Sequence, residues 1–378
     1  MTSPIYKNEL LKRRFYEWLK QSKGFEDNTI QCYEKAIWLW EDFSNKADFA
    51  NFNKTMAGSF KDWLKNRNKA NSQDKISISY CYDNLRHLKD FFMWLSEQPN
   101  YKRKINKTAI EYLNLLKKEV REAKETKSVK YPTLEMIKMV IENLKGKTEI
   151  EMRDRALFAL AFLTGARITA IRTLPMGSFD KKELIISQDP ALKVETKFSK
   201  KITSVLVPFG YKESIDYFIE WFDYLEKEKE FKPDDPIFPA TKIENGKDNI
   251  CYYNTGEVEA RFFKDSGSLR KIFEKRFKQV GAKYYHPHTF RHSWVKEMSK
   301  LPLTEEEKKA ISQNLGHEDV ATTFGSYGYG KIEENKQIEL MRSIDFEGRK
   351  KEVKISLSEE ELKRLAKYIK ENNDSNVG

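Results

Sequence analysis

The chain has 378 residues, 69 Lys and Arg against 58 Asp and Glu, and a net charge of +11. At roughly 100–200 residues per domain this length implies two or three domains, each large enough to bury its own core. A content of 39% hydrophobic and 13% aromatic residues excludes a disordered or low-complexity chain. The longest apolar run, 156–163, is less than half of the ~20 residues that cross a bilayer and is predicted to be a buried helix. Charged residues from Lys7 onward stand where a signal peptide has its apolar stretch, so a cytoplasmic location is expected. Cys32, Cys81 and Cys251 lie far apart without a CxxC pair and are expected to be small core residues, not a disulfide framework or zinc site. Before Tyr131 there are 26 Lys and Arg against 17 Asp and Glu, and from Tyr131 onward 43 against 41. A basic first third of this kind draws in a phosphate polymer, although charge alone fits a solvated helical face equally well.

In chain order, apolar residues first recur at helical spacing: Leu10, Leu11, Phe15, Trp18 and Leu19, then Ile30, Tyr33, Ile37, Trp40 and Phe43. Phe60, Trp63 and Leu64 continue the pattern, as do Tyr80, Leu85, Leu88, Phe91, Phe92 and Leu95. Four or five helices sharing a Trp-rich core are predicted over residues 1–120, with Asp27-Asn28 and Asn71-Ser72 as N-caps of the second and fourth. Residues 121–132 are charged, lack an apolar stripe and stop at Pro132, which suits an interdomain linker. The second domain, 133–345, opens with a helix at Thr133-Leu134-Glu135 and a second over 151–163. Three β-like runs follow at 183–187, 191–196 and 202–207, close enough for a small antiparallel sheet. Helices are predicted at 212–230, 267–280, 289–299 and 304–315. The polar stretch 241–265 reads as a loop or insertion, and 346–378 as a separate tail carrying an amphipathic helix over 358–370. The fold class is mainly α with a small antiparallel β-sheet.

Of the five histidines, His87, His286, His288, His292 and His317, four fall between 286 and 317. A metal site is disfavoured, since no HExxH or Cys/His set accompanies them and Arg291 follows His288 by three residues. A phosphate site suits them better, because guanidinium forks and imidazolium donors stabilise spread negative charge. In His288-Thr289-Phe290-Arg291-His292 two such groups three apart share one helix face. Thr164-Gly165-Ala166-Arg167 adds a second arginine at a helix end. Lys197, in the turn Lys197-Phe198-Ser199-Lys200, is within reach of a cleft if a hairpin carries it. Leu315-Gly316-His317 precedes Thr322-Thr323-Phe324-Gly325-Ser326-Tyr327.

In this order the segments resemble the tyrosine recombinase family, the phage integrases and Xer-type site-specific recombinases. Members show TGxRxxE, a lysine on a β-hairpin, HxxRH, LGH and a terminal tyrosine, and the resemblance spans about 134–329. Asp235-Pro236-Ile237-Phe238-Pro239 also looks like a family stretch. The resemblance implies a two-domain architecture, a helical core-binding domain plus a mixed α/β catalytic domain. Departures are Ala170, where the family has an acidic residue, and the tyrosine, ten residues after His317 where many members have nine. Tyr327 is preferred over its neighbour Tyr329 because it directly follows the Thr-Thr-Phe-Gly-Ser segment.

The resemblance further implies a site-specific recombinase or integrase of a mobile element. Tyr327 attacks a phosphodiester to form a 3′-phosphotyrosyl bond, Arg167 and Arg291 clamp the non-bridging oxygens, and His317 donates to the same group. His288 helps deprotonate the tyrosine and Lys197 protonates the leaving 5′-oxygen. Neither metal, ATP nor another cofactor is called for. His292 and Trp294 are expected to pack around the site. The implied partner is double-stranded DNA with specific recombination sites, bound by a homo-oligomer, a tetramer on synapsed DNA, with accessory DNA-bending proteins as further candidates and no membrane. The tail is expected to dock on a neighbouring subunit. The rival readings are a non-catalytic DNA-binding protein of the same fold and a type IB topoisomerase.

Overall fold

The computed structural model describes residues 4–125, 129–245, 252–329 and positions 337, 338 and 341. Its chain divides into two units, Met1–Lys127 and Ser128–Gly378. The amino-terminal unit is helical: α1 (Pro4–Gln21), α2 (Asp27–Phe43), α3 (Lys54–Asn66), α4 (Ile78–Ser96), a single turn α5 (Lys107–Ile110) and α6 (Lys117–Lys124). The apolar stripes of α1, α2 and α4 meet in an aromatic core. Phe15 lies 5.1 Å from Phe91 and 5.8 Å from Tyr33, both edge-on, and Trp40 meets Phe60 and Phe92 at 5.2 and 5.0 Å. Such pairs add about 0.5–1.5 kcal/mol each beyond the area they bury. Leu10 and Tyr80, expected on the inner stripes, are exposed.

Two capping expectations are corrected. α4 is capped by Ser77, whose Oγ accepts from the Tyr80 amide at 3.1 Å, while Asn71 and Ser72 sit in a turn closed by the Asn68–Lys75 bridge. α2 starts with Asp27 inside the helix and has no side-chain cap. α6 occupies the first residues of the segment read as linker. It is held as a helix by a local cap and by two other elements: Glu119 accepts from the Leu116 amide at its start and pairs with Lys65 of α3, and Ser79 of α4 donates to the Ala123 carbonyl. Cys81 is buried, but Cys32 is exposed, since Tyr33, Ile37 and Trp40 take the inner face of α2; Cys251 lies outside the described residues.

In the second unit α7 (Leu134–Asn143) and α8 (Glu149–Thr164) come first. Every residue of α8 from Arg153 to Thr164 is buried, as expected of the apolar run, and α10 (Glu213–Lys227) lies along it. α9 (Ile168–Arg172) leads into a three-stranded antiparallel sheet, β1 (Phe179–Asp180), β2 (Ile185–Gln188) and β3 (Ile202–Val205), with Ile185 opposite Val205 and Gln188 opposite Ile202. The strand expected over 191–196 does not form. Asp189 instead accepts from the Ala191 amide, Pro190 opens a 3-10 turn, and Lys193 is left-handed at φ 62°. The polar stretch read as a loop contains an antiparallel ribbon, β4 (Ala240–Asn245) and β5 (Tyr252–Glu259). α11 (Ser266–Gln279), α12 (Phe290–Met298), α13 (Glu305–Asn314) and a π-helical turn, Thr322–Tyr329, complete the unit. The expected tail, 346–378, lies outside the described residues. Among the described residues no helix is long and apolar enough to cross a membrane.

A charged knot sits inside this unit. Asp154, 2% exposed, receives Arg153 Nε at 3.0 Å on one oxygen and Arg276 Nε at 2.7 Å on the other. Arg153 also donates to the Pro239 carbonyl and Thr241 Oγ1, so the knot ties α8, α11 and the root of the ribbon together. Removing one member of such a buried set leaves an uncompensated charge, at about 3–5 kcal/mol. Asp154→Ala is therefore expected to destabilise the chain by that amount in chemical denaturation. A triple variant with Arg153→Met, Asp154→Leu and Arg276→Met should recover most of the loss.

Candidate active site

α8 ends at Gly165, whose φ of 58° is left-handed and at which a Cβ would stand 3.1 Å from Leu315 and 3.2 Å from Trp294. This tight exit places Arg167 at the start of α9. Its guanidinium, half-buried, has no hydrogen-bond or ion-pair partner among the described residues. Ala170, which takes the place of an acidic residue, is buried in the core and offers Arg167 nothing. Burial lowers the pKa of Arg167.

Arg291, on the first turn of α12, is 2% exposed. Nη1 donates to the Gly165 carbonyl at 3.1 Å, and Nη2 donates to the Leu315 carbonyl and lies 2.8 Å from His317 Nε2. Nε is buried without a partner. Among the described residues no carboxylate pairs with it, and burial, followed by the neighbouring Arg167 charge, pushes its pKa down to about 9. Since a guanidinium can only donate, His317 Nε2 accepts and the ring proton sits on Nδ1, 2.8 Å from Thr323 Oγ1. The left-handed Gly316, φ 70°, makes this placement possible, because a Cβ there would lie 2.3 Å from Ile202 Cδ1.

The π-helical turn carries Tyr327 into the middle of these groups. Its hydroxyl is 3.2 Å from His288 Nε2. Its ring has His317 stacked on it at 5.2 Å, His292 tilted at 4.6 Å and the Arg291 guanidinium at 5.4 Å. Trp294, Leu315 and Phe324 form a small apolar cluster against which Tyr327 packs. His288 lies in the 3-10 turn before α12, where His286 accepts from its amide, so His286 serves as the cap of that turn. His292 also bonds the Tyr327 main chain, and Tyr131 stacks parallel to it at 6.3 Å. His87 belongs to the other unit, packed on Tyr33.

Lys197 follows the sheet connection and lines a cavity of about 220 Å3 together with Arg167, Phe198, Lys200, Gly316, His317, Thr322 and Tyr327. Glu318 and Asp319 also line it, and Lys200 engages Glu318. The other four expected residues thus gather about Tyr327 and Arg291, His288 and His317 by direct contact and Arg167 and Lys197 through the shared cavity. Sequence reasoning missed Thr323, visible only as one of two adjacent threonines, and Phe198. Desolvation lowers the pKa of His288 to about 4 and of His317 to about 3, with the Arg291 and Arg167 charges adding to it. Among the described residues no group of three or more His, Cys, Asp or Glu could hold a metal ion.

A family model described as the phage integrase family matches residues 133–330. The fold is also similar to that of a lambda integrase dimer bound to a COC′ core site, at 13% identity and TM-score 0.56 over 86% of this chain and 99% of that one. The Tn1549 transposon integrase in complex with transposon right end DNA matches at 14% identity and TM-score 0.54, over 88% and 99%. The XerH site-specific recombinase bound to difH substrate, a pre-cleavage complex, matches at 15% and 0.52, over 88% and 84%.

The lowered histidines fix a sign. Unfolded histidine takes up a proton near pH 6.5, whereas folded His288 and His317 stay neutral down to about pH 4 and 3. Their contribution to stability is thus complete above pH 6.5 and is lost as the pH falls toward those values. The thermal midpoint is expected to drop between pH 7 and 4.5, less steeply in a His288→Gln, His317→Gln double variant.

Proposed function

The chain belongs to the phage integrase family, the tyrosine-type site-specific recombinases, and we propose that it cuts and rejoins DNA strands through a covalent bond between Tyr327 and a 3′-phosphate. The observation that carries this reading is the Tyr327 hydroxyl, 3.2 Å from a neutral His288 and set among two arginines that no carboxylate of the described residues pairs with. Such a site is short of an anion, and a phosphodiester supplies one.

In the reaction, Tyr327 Oη gives its proton to His288 Nε2 and attacks phosphorus, and the bond to O5′ breaks as Lys197 Nζ protonates the leaving oxygen. Arg167, with its fork unengaged, holds the non-bridging oxygens; Arg291, anchored on two carbonyls, supplies charge beneath them. His317 accepts from Arg291 in the free protein. Burial first and the surrounding cations after it lower its pKa; an entering phosphate opposes the cationic part and favours a proton on Nε2 for donation to the anion. Ligands for metal or ATP have no part in these steps. Residues 1–120, with their excess of lysine and arginine, would hold the duplex as a core-binding domain, and 133–345 would be the catalytic domain. Pairing of two sites by a tetramer, helped by DNA-bending proteins, would follow, with the tail docking on a neighbour.

The test is trapping on nicked or phosphorothiolate DNA in EDTA, read on denaturing gels. Wild type and Tyr329→Phe are expected to form a metal-independent covalent adduct. Tyr327→Phe should lose it while still binding DNA. An adduct that persists in Tyr327→Phe and disappears in Tyr329→Phe would overturn the assignment. Arg167→Ala is expected to slow adduct formation about 100-fold or more, the usual effect of removing one oxyanion contact.

A further inference from the structure

Phe198 has no part in the steps above, yet it lines the same cavity as Arg167, His317 and Tyr327. At 73% exposure it is the most exposed large apolar side chain among the described residues. Its backbone is left-handed, φ 61°, and so is that of Ser199, φ 48°. Two successive residues with a Cβ rarely adopt this conformation, and such outliers persist where the surroundings impose them. Lys197 Nζ lies 4.9 Å and Lys200 Nζ 5.6 Å from the ring centroid. The loop therefore holds a flat apolar ring in solvent between two ammonium groups, at the mouth of the site.

A partner complementary to this arrangement has a flat apolar face flanked by negative charges, which describes a nucleobase between its phosphates. An apolar pocket on another protein would match the ring and leave Lys197 unanswered, Lys200 being paired with Glu318. We propose that Phe198 stacks on the base adjacent to the scissile phosphate, with Lys197 and Lys200 on the backbone around it, and so sets the register of the strand over Tyr327. This rests on the reading that the cavity takes a DNA phosphodiester.

The substrate for the test is the duplex recovered with the Tyr327→Phe chain from random-sequence DNA, cleaved by the wild-type chain under single turnover. Phe198→Gly suits the left-handed backbone, Phe198→Leu keeps the apolar bulk, and Phe198→Trp keeps the stacking face. The adduct is expected to form about tenfold or more slowly with Gly and Leu, and near the wild-type rate with Trp, in line with the usual worth of one base–aromatic stack. An abasic site is then placed in turn at each position flanking the cleaved bond. At one of them the wild type and Phe198→Gly should converge, because the pair that interacts has lost one member either way. A Gly defect of the same size on every duplex, or no defect at all, would overturn the proposal. Failure of the wild type to form any adduct would instead sink the parent reading.

Discussion

A guanidinium with 2% exposure and no carboxylate beside it holds the candidate site together. Arg291 joins the end of α8 through the Gly165 carbonyl, the end of α13 through the Leu315 carbonyl, and His317 through Nε2. Burial lowers its pKa, with the Arg167 charge adding to it, and burial followed by the Arg291 charge lowers those of His288 and His317. The same unit contains the opposite solution. Arg153 and Arg276 are equally buried, but Asp154 lies between them and closes the set. One cluster is complete within the fold; the other, on the proposed reading, would be completed by an anion.

Gly165 and Gly316 both have positive φ and both stand where a Cβ would collide with a neighbour, one at the exit of α8 and one just before His317. The Tyr327 turn is π-helical, a geometry found mostly at functional positions, and it lets the ring reach the imidazoles of His288, His292 and His317 together. At Gly165, Gly316 and the Tyr327 turn, departures from regular backbone deliver side chains to one point, while α8 stays regular.

Much of this was legible in the sequence, and the exceptions have physical causes. The helices were readable because their apolar stripes repeat at helical spacing over ten or more residues, as on α2 and α4. The site residues were readable from their order along the chain, which is a property of the family resemblance rather than of any one segment. The run 191–196 alternates like a strand, but Asp189-Pro190 just before it starts a turn first, and local turn chemistry prevails. The β4–β5 ribbon hid behind its polarity: Lys242 pairs with Glu244, Glu244 accepts from Tyr253, and among its described residues only Ala240 and Val258 near its root are buried, too few for a legible apolar stripe. The Arg153–Asp154–Arg276 knot joins residues more than a hundred positions apart, and no local pattern announces it.

The size of the cavity decides what the site can read. About 220 Å3 is smaller than a usual small-molecule pocket and suits one phosphodiester group, not a nucleoside held whole. A phosphate carries no sequence information, so whatever selects one bond among many must act from outside the cavity. The elements at hand for this are the rim of the site, where Lys197, Phe198 and Lys200 stand exposed or half-exposed, and the basic helical unit. Chemistry and selection are thus placed on different residues. On the proposed reading, the interior would provide a field that any DNA phosphate satisfies, and the surface would decide which phosphate is brought to Tyr327.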